Sequence, residues 1–300
     1  MSTFLPTFNR QKFLLTFIKY AGGRLNKLDL QKLLFLYQKQ TDTTYFDFIP
    51  YHYGCYSFQA NSDLEILQSS GWLKLEEKEI TLLNYPEKGL EGNLQQAIGL
   101  KKFMSDNSNL RGDSLIRLIY REYPYYAINS KIVDSSHLDK KDIEEIKQVK
   151  NRYLNDETFL FTIGYEGVSL ESYINKLIQE DVHLLCDVRS NPLSRKYGFS
   201  KGSLSVILPK IGIKYEHIPE LGIPSSERKD VKEAKDYMGL FDVYKDSLKN
   251  KRKYVKHLFE LINKHKRIAL TCFEKEPTLC HRYYLSHFLK SEYNIRISDL

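Results

Sequence analysis

After residue 155 the chain alternates short, almost uninterrupted apolar runs with amphipathic stretches, and few folds accept that pattern. Phe159 to Ile163 ends at Gly164, Leu170 to Ile178 is amphipathic, and His183 to Val188 is a second apolar run. Strands apolar on both faces belong in a parallel sheet covered by helices, so these three segments predict a βαβ unit. Gly202 to Leu208 reads as a short helix stopped by Pro209, Lys214 to Ile218 as a strand, and Lys229 to Lys264 as two charged helices. Arg267 to Cys272 predicts a fourth strand, Pro277 to Lys290 a helix, and Asn294 to Ile297 a last short strand. Residues 156–300 are therefore expected to form a Rossmann-like parallel α/β domain.

Residues 1–155 obey a different period. Phe13, Leu14, Phe17 and Ile18, then Leu30, Leu33, Leu34 and Tyr37 after Gly22-Gly23, predict two amphipathic helices around a turn. Pro50 and Gly54 interrupt that period, Ser57 is placed to cap a third helix running to Ser70, and Leu73 to Leu83 alternates as a wing-like hairpin would. Further helices are expected over Leu90 to Ser105, Asp113 to Tyr120 and Asp139 to Arg152. Together these describe a mainly helical, winged-helix-like recognition or interaction domain. Three hundred residues agree with two domains.

Composition narrows the functional classes. With 42% hydrophobic and 28% charged residues, the chain is not collagen-like, disulfide-scaffolded or largely disordered. It holds no apolar run of the roughly 20 residues that cross a bilayer. The opening residues lack a signal-peptide pattern, so no membrane association and a cytoplasmic location are expected. Lys and Arg exceed Asp and Glu by 45 to 38, which favours an anionic partner such as a nucleic acid or nucleotide, although a solvated lysine surplus accounts for it as well. Four scattered cysteines read as reduced thiols.

In a parallel α/β sheet, loops after strand C-termini open on one edge, and ligands bind there. Those loops carry Tyr165 and Glu166, then Asp187, Arg189, Ser194 and Arg195, then His217, then Cys272 to Pro277. Arg189 lies two residues after Asp187 and can fork around a phosphate or pair with Asp187 itself. Ser194 to Phe199 adds cations and aromatics suited to phosphate and base contact, or forms an ordinary solvated loop. His281 and Arg282, near the start of the last long helix, stand at an expected anion site, unless Cys280 and its neighbours are simply core. Glu274 and Asp187 would make a carboxylate pair able to protonate a leaving group and stabilise positive charge at a sugar carbon. No C-x-x-C pair occurs, so no metal or other cofactor is expected. Neither Cys272 nor Cys280 has the arginine of a thiol phosphatase loop, so the chemistry is expected not to need a thiolate. The candidate catalytic residues are thus Asp187, Glu274 and His281. Tyr165, Glu166, Arg189, Ser194, Arg195, His217 and Arg282 are the candidate substrate contacts.

Four runs carry a resemblance: Thr162 to Gly167, Cys186 to Arg195 with Lys196 to Phe199, Tyr215 to Gly222, and Thr271 to Arg282. In this order they resemble the family called domain of unknown function 488, over about Phe159 to Leu289. The resemblance implies that Asp187, Arg189, Arg195, His217, Glu274, Cys280, His281 and Arg282 match the family's polar motif positions, without assigning roles. Many relatives have Gly-His-Ser where this chain has Gly164-Tyr165-Glu166, so no histidine role carries over there. In the front half, Leu30 to Tyr37 and Tyr51 to Ser57 are similar to the Panacea antitoxin-like domain of toxin and phage-related loci, which implies an interaction or regulatory module.

These readings lead to an expected enzyme that cleaves a glycosidic or phosphodiester bond in a nucleic acid or nucleotide-like substrate, in a phage-defence or toxin-related setting. The helical half would recognise the nucleic acid or a protein partner. The alternative is a non-catalytic protein that senses a nucleotide or binds DNA or protein.

Overall fold

The computed structural model describes residues 5–41, 43–85, 94–228 and 234–300. The expected helix start at Leu90, the opening residues Met1 to Phe4 and the expected helix start at Lys229 lie outside them. The chain divides into two compact units, Met1–Arg152 and Tyr153–Leu300.

The first unit contains α1 (Asn9–Tyr20), β1 (Arg24–Asn26), α2 (Lys27–Gln40), β2 (Ile49–Tyr51), β3 (Gly54–Tyr56), α3 (Phe58–Ser69), β4 (Leu73–Leu75) and β5 (Glu79–Leu82). Helices α4 (Leu94–Asp106), α5 (Gly112–Glu122) and α6 (Lys140–Asn151) follow. Phe13, Leu14, Phe17, Ile18, Leu30, Leu33, Leu34 and Tyr37 all enter one core, as their spacing predicts. Ser57 caps α3 by accepting the Ala60 N–H at 3.2 Å. The hairpin β4–β5 forms as expected and pairs on its far side with β1, a strand that the period did not reveal.

The break around Pro50 is also a hairpin, β2–β3, turned through His52 and Tyr53, with Gly54 at φ +95°. Pro50 is tolerated because this ladder has only two strands and leaves its missing N–H unneeded. Lys32, on α2, is fully buried and donates to the Tyr53 carbonyl. Burial pushes its pKa below the ordinary lysine value.

The second unit runs β6 (Phe159–Gly164), α7 (Leu170–Gln179), β7 (Leu184–Asp187), α8 (Lys201–Ile207), β8 (Lys214–His217), α9 (Ala234–Asn250), α10 (Arg252–His265), β9 (Arg267–Cys272), α11 (His281–Tyr293) and β10 (Ile297–Asp299). The five strands form one sheet in the order β10-β6-β9-β7-β8, and every neighbouring pair is parallel. All six residues of β9, the central strand, are buried. Each of its large aliphatic side chains contributes roughly 1.5–3 kcal/mol. Register places Gly164 opposite Cys272, and Asp187 opposite both Thr271 and His217, so the ends of four strands arrive together at one edge. An α/β second unit with a parallel sheet and a mainly helical first unit are the architecture the sequence pattern predicts. Among the described residues no helix is long and apolar enough to cross a membrane.

Candidate functional site

A cleft of about 340 Å³ opens at that edge, lined by loops that follow β6, β7 and β9. Tyr165, Arg189, Ser194, Arg195 and Glu274 line it, as does Cys272. The cleft lies at the edge that the strand-end rule selects, but the side chains are arranged differently from expectation.

Asp187 is the main correction. Its side chain is fully buried, and it does not line the cleft. Its Oδ1 accepts from Arg189 Nε at 2.8 Å and from the Arg189 backbone N–H at 3.1 Å; Oδ2 accepts from Arg189 Nη2 and, at 2.7 Å, from the Tyr215 hydroxyl. The carboxylate is thus taken up in a forked ion pair and does not line the cleft with Glu274. Of the two readings the spacing left open for Asp187 and Arg189, mutual pairing is the one the fold adopts.

Arg189 is likewise only 5% exposed, and its Nη1 donates to the Tyr165 hydroxyl at 2.7 Å and the Phe199 carbonyl at 2.9 Å. Burial works against its charge, but the bonds and charge of Asp187 outweigh it and hold the guanidinium pKa above its ordinary value. Arg189 ties the β7 loop to the Tyr165 loop, leaving the exposed Arg195 as the cleft's solvent-facing cation.

Tyr165 is buried beneath the cleft, its ring stacked on Phe199 at 4.5 Å. Glu166 is exposed, and its Oε2 accepts the Lys275 N–H at 3.0 Å, joining two of the loops. Ser194 accepts the Lys196 N–H at 3.1 Å, and Lys196 Nζ donates to the Tyr165 carbonyl at 2.6 Å. His217 stays outside the cleft lining, its Nε2 on the Arg189 carbonyl at 2.8 Å.

Arg282 is also placed differently from expectation: 1% exposed, it is a brace rather than an anion contact. Its Nε donates to Thr162 Oγ1 at 3.2 Å, Nη1 to the Glu274 carbonyl at 2.6 Å and Nη2 to the Lys275 carbonyl at 3.2 Å. Gly164 is needed beside it, since a Cβ there would sit 1.9 Å from the Glu274 carbonyl oxygen.

A cluster of titratable side chains forms around two residues set aside in the sequence, Cys272 and Cys280. Pro277 opens a single 3₁₀ turn, Pro277–Leu279, not the long helix; Cys280 is the N-cap and His281 the first residue of α11. That turn folds Cys280 and His281 back against the end of β9. Cys272 Sγ lies 3.1 Å from Glu274 Oε2 and 3.7 Å from His281 Nδ1, and Cys280 Sγ lies 3.8 Å from the same Nδ1. His281 is fully buried, and its Nε2 donates to the Val188 carbonyl at 3.0 Å, which turns Nδ1 toward both sulfurs.

Hydrogen bonding with Cys280 leads the effects that hold the Cys272 thiol well below its ordinary range, and His281 acts in the same sense against burial. Burial, then the charge on Cys272, raises the Glu274 carboxyl. Burial raises Cys280. The donor atoms of Cys272, Cys280 and His281 all lie within 4.8 Å of one another, a grouping able to hold a metal ion. The absence of a C-x-x-C pair hid this, because the seven-residue gap is closed by the 3₁₀ turn. The legible signal was local: Cys-x-Glu at a strand end, followed by Cys-His at a helix start.

The model of the family described as "Domain of unknown function DUF488" matches residues 169–289. No curated protein and no solved structure matches the chain.

Proposed function

We propose that the α/β unit is an enzyme acting on a nucleic acid or nucleotide-like substrate, with its reaction centre at Cys272 and Glu274. The observation that carries this reading is their convergence: one polar cleft presents a thiol and a carboxyl 3.1 Å apart beside Arg195 and the Ser190–Ser194 loop. The loop and the exposed guanidinium supply donors for a phosphate. Glu274 Oε2 moves the proton that a departing sugar or phosphate oxygen requires. Asp187 acts at one remove, as the residue that positions Arg189. The helical unit, on its resemblance to the Panacea antitoxin-like domain, recognises the nucleic acid or a protein partner, in keeping with a phage-defence or toxin-related role.

The test is a turnover screen of the full chain against oligonucleotides, nucleosides and nucleotides. Glu274→Gln should lower kcat by roughly 10²-fold or more. Arg195→Ala should raise KM with kcat largely kept, because it removes a binding contact away from the reacting atoms. Saturable binding of a nucleotide without turnover, unchanged by Glu274→Gln, would replace the enzyme with a sensor.

A further inference from the structure

We infer that Cys272, Cys280 and His281 bind a zinc ion, and that zinc-bound water is the nucleophile of the reaction proposed above, on which this mechanistic part rests. Zinc takes thiolate at about 2.3 Å and imidazole nitrogen at about 2.0–2.1 Å. In a tetrahedron those bond lengths set sulfur-to-nitrogen edges of about 3.6 Å. The measured edges are 3.7 Å from Cys272 Sγ and 3.8 Å from Cys280 Sγ to the same Nδ1. Both sulfur-to-nitrogen edges thus match a tetrahedral site, and all three donor atoms lie within 4.8 Å of one another.

Two further features are those of a metal site. His281 directs Nδ1 to the sulfurs because Nε2 is fixed on the Val188 carbonyl, the outer contact that sets tautomer and ring orientation in zinc-bound histidines. The cleft lining includes Cys272 and Glu274 but neither Cys280 nor His281. Three ligands therefore leave the fourth position for the cleft side, where Glu274 stands.

Two thiolates, one imidazole and a nearby glutamate that is not a ligand form the donor set with which zinc enzymes activate water against nucleobases. Here the bound water gives a proton to Glu274 Oε2, and its oxygen bonds to the electrophilic atom of the substrate. The bond to the leaving group then breaks, and Glu274 returns the proton to that group. One water is consumed and nothing is oxidised or reduced.

The experiment measures zinc by mass spectrometry in the full chain purified without chelator from zinc-supplemented cells. One zinc per chain is expected in the parent and in Glu274→Gln, with loss of zinc in Cys280→Ser and His281→Ala. Cobalt added to chelator-treated parent protein should give the intense visible bands of tetrahedral thiolate ligation. Because the ligand variants can fail to fold, zinc added back to chelator-treated parent protein supplies an independent reading: one equivalent should rebind and raise its melting temperature.

A metal-free parent without a cobalt spectrum, or zinc retained by both Cys280→Ser and His281→Ala, would overturn the site. Loss of zinc in Glu274→Gln would overturn the role given to Glu274. None of these readouts uses substrate. Zinc binding without turnover therefore counts against the proposed reaction alone, and turnover without zinc counts against the metal alone.

Discussion

Replacing Asp187 by Asn separates a structural carboxylate from a catalytic one. The substitution keeps volume but removes the charge that four hydrogen bonds converge on, leaving the Arg189 guanidinium, 5% exposed, without its counter-ion. Breaking one side of a buried ion pair costs about 3–5 kcal/mol. Arg189 keeps the Tyr165 hydroxyl and the Phe199 carbonyl, which favours the lower end, about 3 kcal/mol. For a domain of this size each kcal/mol moves Tm by roughly 2–4 °C, so the α/β unit should melt about 6–12 °C lower. Calorimetry of the full chain reads this as a lowered transition. The double variant Asp187→Leu with Arg189→Met, which removes both charges, should lose far less than the single variant. Unchanged melting of Asp187→Asn together with a 10²-fold loss of turnover would refute the reasoning and return Asp187 to the reaction.

Three other perturbations test the packing. Lys32→Met removes a buried ammonium that donates to a single carbonyl, and should leave the helical unit as stable or stabilise it by about 1–3 kcal/mol in urea titrations; a loss of similar size would mean that the charge is needed. Cys55 is fully buried, and burial raises its thiol to about 12, above the unfolded value, so the folded state holds the proton longer. Its contribution is complete below about pH 9 and is lost as pH rises toward 12, by about 1.4 kcal/mol per pH unit. Tyr120 and Tyr126, also raised by burial, act in the same direction, whereas Lys32, lowered by burial, opposes them. Cys55→Ala should therefore flatten the alkaline limb of the stability profile, and an unchanged slope would reject the assignment. Gly164→Ala must displace the Glu274 carbonyl, costing about 1–3 kcal/mol and increasing the reaction of Cys272 with a thiol reagent; a native melting curve with a protected thiol would contradict the close approach.

The parallel sheet was legible because Phe159–Ile163, His183–Val188 and Arg267–Cys272 are apolar on both faces, a demand that little else satisfies. The edge where the cleft opens followed from topology. What did not follow was which polar groups neutralise each other. Asp187 and Arg189 share a side of the strand end as their spacing indicates, but only packing from Tyr165, Phe199 and Tyr215 buries them as a pair. Cys280 read as core by its neighbours, and it is buried; its proximity to Cys272 depends on a 3₁₀ turn too short to leave a periodic signature. Pro50 concealed the β2–β3 hairpin because a strand proline is admissible only where the ladder ends, which is a fact of tertiary structure.

Arg282 fixes the length of the chain between the two cysteines. Its guanidinium spans from Thr162 on β6 to the carbonyls of Glu274 and Lys275, so the loop after β9 is measured against the sheet by one rigid side chain. Side chains within Phe273 to Leu279 that point outward, such as Leu279, are free to change with the ligand. An added or deleted residue there would misplace Cys280 and His281 relative to Cys272 even if every side chain were kept. Variation at this edge should therefore appear as substitution and never as insertion.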